Sequence, residues 1–541
     1  MRRRRACIVE AGASANLGID RVFDIQSGAV VHLENLTVRH GNAPVGAGIQ
    51  AVGAELVLAG VRVTSNWASG MSNVAGGGIS ISGSPPGRLT LTDSQVTDND
   101  LVVRDGRDGY GAGIRVLNEL PIDIVRSEIR DNGVVLIGTT GIVQGGGLYG
   151  RLKGSMTDSV VSGNRITCSV SSTGACNTQG AGLWIYSYTG FDIRSSSIEG
   201  NTAGCQRTSS TTCQVSGGGL YVAGGTVAIT DSAIVENEAS SAQSLESRGG
   251  GIFVAGTTVT VDNSTLSGNV AAAEGNRGYG GAICVEPIGK VPGIADLVYT
   301  TIAANTADWG AAFALSDETS KIKLTRSIVV AGGAESCWGM AESSGSGGFN
   351  VFTDTSCGSP AARDQLGVDP GLGDLADNGG PTRTHGLLGG SPAADAAGES
   401  SCAGHTALLA DQRGFPRPAD GDGDGTAVCD IGVYEAEAPP APTPTETASP
   451  TLTATPSLSA TPSATASATP SWTATPTRTA SPFPSVTPSA THTPTRTPAV
   501  VSTPTATPFP AVGLRVAVAP GRRCWCSPPR SPGRWRWPAA A

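Results

Sequence analysis

GGGLYVAGGTVAITDSAIVEN, residues 217–237, holds one repeat of this chain. It opens on three glycines, alternates at Leu220-Tyr221-Val222 and again at Val227-Ala228-Ile229, and places Ile234 three residues before Asn237. Alternation with a period of two marks a strand with one face turned inward. The same frame returns along the chain. Asn66, Asn99, Asn132, Asn164, Asn201, Asn237, Asn269 and Asn305 each follow an apolar residue by three: Val63, Val96, Ile129, Val161, Ile198, Ile234, Leu266 and Ile302. Each of these follows another apolar residue by five: Leu58, Leu91, Ile124, Met156, Ile193, Ile229, Val261 and Leu297. Gly41 and Gly332 take the Asn position at the two ends of the series. Glycine clusters such as GAGI 46–49, GGGI 76–79, GGGL 145–148 and GGAI 280–283 open the units, with starts 30 to 37 residues apart. Repetition on this scale means stacked supersecondary units.

Three short strands per unit, each pairing with its copy in the next, describe an all-β, right-handed parallel β-helix. The hand is the one expected of parallel crossovers. One unit cannot bury its own apolar side chains, whereas a stack makes one continuous core. Asn and Gly accept a left-handed backbone, so the frame gives ten equivalent turns, eight closed by Asn and the outer two by Gly. Ten coils at a spacing of about 4.8 Å make a rod roughly 48 Å long. Asn side chains stacked at one turn would bond from coil to coil, so the Asn column is read as a structural ladder. A polar loop of variable length is expected between each Asn and the next glycine cluster.

The organisation follows from composition. Residues 1–17 form an atypical N-terminus, read as a truncated upstream coil: four Arg follow Met1, and Glu10 interrupts the short apolar run that comes next. Residues 18–335 are the solenoid and 336–437 a non-repetitive C-terminal module. Residues 438–512 are a Pro/Ser/Thr-rich tract that cannot build a core and reads as a disordered stalk or linker, of a type often O-glycosylated. Residues 513–541 turn abruptly Arg- and Trp-rich, as an out-of-frame gene end would. There are 75 glycines, only 15% charged residues and a net charge of −9. No basic stripe runs along the rod, which excludes nucleic acid as the expected partner. No apolar run is long enough for a membrane-spanning helix.

The cysteines pair by position. Cys168 and Cys176 share the loop after Asn164, and Cys205 and Cys213 share that loop one coil on. Cys337 and Cys357 flank the end of the rod, and Cys402 and Cys429 bracket the module. Local pairs in Gly/Ser-rich loops suggest disulfides and an extracytoplasmic location, secreted or at the cell surface. Cys7 and Cys284 have no obvious mate in the sequence.

Two resemblances add to this reading. The repeated GGGI/GGAI and xxxN motifs of residues 18–335 resemble polymorphic outer-membrane proteins and other right-handed parallel β-helix repeat proteins. Asp369-Pro370-Gly371-Leu372-Gly373, DNGGPTRTHGLL (377–388), GSPAADAAG (390–398), DQRGFPRP (411–418) and CDIGVYE (429–435) resemble the bacterial choice-of-anchor Q module. The second resemblance implies a surface or secreted protein. It also implies that Asp377, Asn378, His385 and Asp411 belong to a scaffold signature and not to a catalytic site.

Function on such a scaffold comes from departures from the repeat. The outward residue of the first strand is aromatic in four successive coils: Tyr149, Trp184, Tyr221 and Phe253, with Tyr186 and Tyr188 nearby. Aromatics about 4.8 Å apart form a ladder on which the apolar faces of sugar rings can pack; equally, such pairs stabilise a sheet. Asp420, Asp422 and Asp424, with Asp430 beyond, supply hard oxygen ligands at the spacing of a Ca²⁺ loop. Ile431 stands where an EF-hand needs a bidentate Glu, so Ca²⁺ would rigidify the module without a catalytic role. No cofactor is otherwise required. Asp98, Asp100, Arg104, Asp105, Arg107, Asp108 and Tyr110 form the one charged cluster that could serve a glycan lyase or hydrolase. The expectation is a monomeric, non-catalytic rod for display, adhesion or glycan binding, with a polysaccharide or surface protein as partner. A structural surface-layer protein and an enzyme cleaving acidic glycans are the alternatives.

Overall fold

The computed structural model describes residues 7–437, apart from 71–72, 85–86, 105, 139, 171–174, 208–211, 243–245, 334, 341–343, 359 and 399–408. The stalk at 438–512, the tail at 513–541, Asp105 and Cys402 therefore lie outside the described residues. Residues 7–437 belong to one compact unit.

The chain winds into an all-β parallel solenoid of about nine turns, close to the ten expected. First and second strands stack in a 20-stranded sheet and third strands in a 13-stranded one. The register is set by the apolar frame: Leu220 sits beside Ile252, Ile229 beside Val261 and Ile234 beside Leu266. These inward residues are fully buried along the rod. Each contributes about 1.5–3 kcal/mol through apolar burial, and a shift by one residue would turn every one of them outward.

The segments expected as polar loops are strands. Trp67–Ser69, Asp100–Arg104, Gly133–Gly138, Arg165–Val170, Thr202–Arg207 and Glu238–Ser241 stack, with two more, in an 8-stranded parallel sheet. Gly109–Tyr110, Gly141–Gln144, Ala175–Gln179, Thr212–Ser216 and Glu246–Arg248 stack in a facing 7-stranded sheet. Between them lies a second core that includes Leu101, Val103, Val134, Leu136, Ile166 and Ala203. Eight successive turns, from Trp67–Ser69 to Thr306–Ala307, thus carry an arm on the rod.

The Asn ladder runs along the waist between rod and arm. Asn201 is representative. Its Oδ1 accepts the backbone N–H of Asn164 at 3.0 Å and the Asn164 Nδ2 at 2.9 Å. Its Nδ2 donates to Val161 O and to Asn237 Oδ1, both at 2.9 Å. Gly41 ends the column by donating its N–H to Asn66 Oδ1 at 2.9 Å. The Asn itself is not the left-handed residue, contrary to expectation. That conformation falls on the residue before it: Ser65, Asp98, Asp131, Gly163, Gly200, Glu236, Gly268 and Ala304, with φ from 54° to 66°. Asn recurs because its amide fills all four bonding positions in a dry column. The glycine at the third position of each cluster from 46–49 to 249–252 lies against this column, and a Cβ on Gly219 would sit 2.7 Å from Gly251 O and 3.0 Å from Asn237 Cγ.

A second ladder stands at the corner before the third strand. The backbone N–H of Ser94, Ser127, Ser159, Ser196 and Ser232 each donates to the hydroxyl of the next serine in the column, at 3.0–3.2 Å. Asp93, Asp158 and Asp231, which recur in register, precede three of these serines as left-handed residues with φ of 49–52°.

Residues 336–437 do two things. Cys337–Trp338, Val351–Phe352 and Gln365–Leu366 continue the rod sheets in parallel register. The chain then turns back onto the outer face of the third strands. Thr265 Oγ1 donates to Gln412 Oε1 at 2.7 Å, Val433 N to Thr301 Oγ1 at 3.2 Å, and Arg383 pairs with Glu236 and Glu199. Under this cover the outward third-strand residues are small and buried: Ala233, Thr265, Ser267, Thr301 and Ala303.

Candidate functional site

The arm closes onto the rod along one corner, where Tyr110 lies 4.9 Å from Tyr149 between ring centroids and Arg248 pairs with Glu286, and the groove is this corner. Its rod wall is the outward column of the first strands, where Arg115, Tyr149, Trp184, Tyr221, Phe253 and Cys284 are neighbours in register. Its arm wall is the outward face of the 7-stranded sheet. There Tyr110, Gln144, Gln179, Ser216 and Arg248 form one row and Ile142, Asn177, Gln214 and Glu246 the next. A concavity of about 650 Å³ lies along the second row and is lined by arm residues, Asp108, Ile142, Asn177, Gln214, Glu246 and Arg277 among them.

The four expected aromatics do form a ladder. Tyr149 stacks on Trp184 at 4.6 Å, Trp184 on Tyr221 at 5.9 Å and Tyr221 on Phe253 at 5.1 Å between ring centroids. Most of their surface is spent on one another and on the arm. Trp184 and Tyr221 are each 9% exposed and Phe253 4%, while Tyr149 is half-buried. The indole Nε1 of Trp184 donates to Gln179 Oε1 at 3.1 Å across the groove, and Gln179 also accepts from the Gln144 amide. Burial raises the Tyr221 phenol to about 12. Cys284 continues the column as a buried thiol whose pKa burial pushes well up.

Below Trp184 the groove changes character. Arg115 and Arg151 flank Tyr149, one in the preceding coil and one two residues along its own strand. The Arg151 guanidinium lies 5.6 Å from the Tyr186 ring centroid. Tyr188, 60% exposed, packs edge-on against Tyr186 at 4.8 Å. The first strand is distorted here: Asn118 and Glu119 both have positive φ, 69° and 51°, where the register shifts. This turns Glu119 across two coils, where Oε1 accepts Tyr188 N and Thr189 Oγ1, both at 3.2 Å. Sequence periodicity missed this patch, because the two-residue departure hides inside an otherwise regular strand.

The charged cluster at 98–110 does not converge. Asp98 pairs with Arg62 at 3.6 Å beside the waist. Asp100 points from the first arm sheet, and burial, then the Asp98 charge, lifts its carboxyl to about 6. Arg104 and Arg107 lie at the exposed arm tip. Asp108 is on the opposite wall, accepting Ile142 N at 2.9 Å and Tyr110 OH at 3.0 Å. Farther along the groove, Glu246 and Glu286 are both taken up by Arg248. Neither arrangement sets two free carboxylates across a cleft.

Of the four acids expected to hold Ca²⁺, two come together. Asp420 and Asp422 meet Asp395, with one carboxylate oxygen from each within 4.8 Å of the others. These oxygens already serve backbone N–H groups: Asp395 accepts Asp422 N at 2.7 Å, and Asp420 accepts Gly423 N at 2.8 Å. Asp424 turns to Thr426 N, and Asp430 is buried, accepting Asp395 N and Ala436 N. Burial raises Asp430 to about 6.

The disulfides Cys168–Cys176, Cys205–Cys213 and Cys337–Cys357 are formed. The first two lie one above the other and tie the two arm sheets together. Cys429 is disulfide-bonded as well. These bonds point to an oxidising environment. Among the described residues, no helix is long and apolar enough to cross a membrane.

Under the folded-back segment, Ser267 Oγ lies 2.9 Å from His385 Nε2, and His385 Nδ1 lies 2.7 Å from Gly373 O. The order hydroxyl, imidazole, acceptor is that of a nucleophile with its base. Both side chains are buried, however, and burial lowers the His385 pKa. They act as a clasp between segment and rod. Asp411 is equally structural, accepting Arg413 N, Phe415 N and Glu435 N. Asp377 accepts Gly379 N, and Asn378 donates to Thr384 O. No family model matches the chain, and no curated protein or solved structure is significantly similar to it.

Proposed function

We propose that this chain is a non-catalytic, extracellular or cell-surface solenoid that binds an extended glycan in the groove between rod and arm. The observation that carries the reading is the groove's lining: the exposed Tyr188 and the edge of the half-buried Tyr149 on one wall, and the amides of Gln144, Asn177, Gln179 and Gln214 on the other. Aromatic faces match the apolar faces of pyranose rings, and amides match their hydroxyls. The groove repeats from coil to coil, as a polymer does. The polymorphic outer-membrane-protein-like repeats and choice-of-anchor-like motifs support a surface location, and the disulfides agree with it.

The test is affinity electrophoresis of the chain in gels containing neutral or acidic polysaccharides. Retardation by at least one polymer is expected, with Tyr149→Ala and Tyr188→Ala abolishing it while the melting temperature stays within a few degrees. Migration unchanged in every gel would overturn the proposal. Shortening of a polymer would instead establish catalysis. A purely structural role is the second reading, favoured by the burial of Trp184, Tyr221 and Phe253.

A further inference from the structure

Arg115 is poorly satisfied. It is half-buried, its Nη1 reaches only Ser80 Oγ at 3.4 Å, and its Nε is buried without a hydrogen-bond partner. Burial lowers its pKa, which measures the cost of holding the charge there. Arg151 is exposed and held over Tyr186. Among the described residues neither guanidinium has a carboxylate within ion-pair distance, whereas Arg88, Arg126, Arg130, Arg194 and Arg248 on the same rod or arm all do. The nearby acids are occupied otherwise: Asp108 by Ile142 N and Tyr110 OH, Glu119 by Tyr188 N and Thr189 Oγ1. The strand lattice sets Arg115 and Arg151 about 8 Å apart at Cα, beside the half-buried Tyr149, whose ring lies between Tyr110 at 4.9 Å and Trp184 at 4.6 Å and shows solvent its edge.

We infer that the groove takes an acidic polysaccharide, with Arg115 and Arg151 binding the carboxylates of sugars that stack on Tyr188 and pack against the edge of Tyr149. A guanidinium offers a planar fork to a carboxylate, and an aromatic face beside it accepts the ring that carries the acid. With a net charge of −9 the chain does not attract polyanions as a whole. Recognition therefore rests on these two residues and weakens with salt. The inference depends on glycan binding in the groove and adds the class of sugar.

The experiment separates the two. The full chain is titrated with polygalacturonate, alginate and hyaluronate, and with the carboxyl-reduced form of each. The expected result is binding to an acidic polymer at least about tenfold tighter than to its reduced form, with Arg151→Gln and Arg115→Gln each removing most of that difference. Tyr149→Ala should weaken both forms together. Equal binding of charged and reduced polymers, or an exposed-site Arg151→Gln variant indistinguishable from the parent, overturns the inference and leaves glycan binding standing. Failure of every polymer to bind overturns both.

Discussion

Replacing Asn201 by Ala should cost about 3–5 kcal/mol, a large effect for an uncharged residue in a corner of the chain. The side chain makes four hydrogen bonds, two accepted from Asn164 and two donated to Val161 O and Asn237 Oδ1. Truncation leaves two buried donors on Asn164 without an acceptor, at about 1–3 kcal/mol each. The acceptors suffer less, because Asn237 Oδ1 keeps the backbone N–H of Asn201 at 3.1 Å. Asn201→Asp keeps the shape and the Oδ1 acceptor but sets a second oxygen against two acceptors. The buried carboxyl would then have a pKa raised above its unfolded value. Its stability would be fullest below about pH 4 and lost as pH rises through the folded pKa; Asn201→Ala has no such dependence. Solenoids open locally as well as globally, so the assay is hydrogen exchange of peptides covering 160–166, with urea unfolding alongside. A loss under about 1 kcal/mol for Asn201→Ala, with exchange at Asn164 unchanged, would refute the ladder's energetic role.

Four further outcomes are expected. Gly219→Ala should destabilise the rod by more than 1 kcal/mol as an order of magnitude, because its Cβ would meet Gly251 O at 2.7 Å; an unchanged urea midpoint would contradict this. Removing Cys168–Cys176 by double Ala substitution should loosen the arm by about 2–3 kcal/mol, visible as faster proteolysis between 165 and 179 with the rod intact. Cys284 should resist maleimide in the native protein and label fully in denaturant, read by peptide mapping. Finally, burial raises Asp430 to about 6 and Glu435 to about 7. Raised carboxyl pKa values give stability that is present below the unfolded values near 4 and lost as pH climbs to about 7. The 411–436 segment should therefore exchange more slowly at pH 5 than at pH 8 after correction for intrinsic rates, with Glu435→Gln flattening the trend.

The rod was legible because its frame is rigid: Ile234 to Asn237 and Ile229 to Ile234 keep their spacing in every unit. The left-handed corner was read one residue late, since backbone preference and side-chain role are both attractive explanations of a recurrent Asn. The arms were hidden by their varying lengths, and the later ones carry Ala, Gly, Ser and Cys where the earlier ones carry Leu, Val and Ile. A signal existed in the apolar residue two after each Asn: Leu101, Val134, Ile166, Ala203 and Ala239. In the candidate groove, the aromatic column followed from periodicity, but its burial depended on arm strands that periodicity did not show. Asp395 joined Asp420 and Asp422 through a long return of the chain, beyond the reach of any local motif. The fold-back of 369–436 left one trace, the shrinking of outward third-strand residues from Arg62, Gln95 and Glu128 to Ala233, Thr265 and Thr301.

The waist divides two kinds of information. On its rod side a fixed ruler counts coils, because each Asn is bonded to the next. On its arm side length is free, as it is between the first and second rod strands, so repeat starts can drift between 30 and 37 residues without disturbing the count. Insertions at arm tips would change what the molecule presents without changing where it presents it. Peptides grafted into successive tips would stand in single file about 4.8 Å apart, like the teeth of a comb on a back that does not bend to accommodate them.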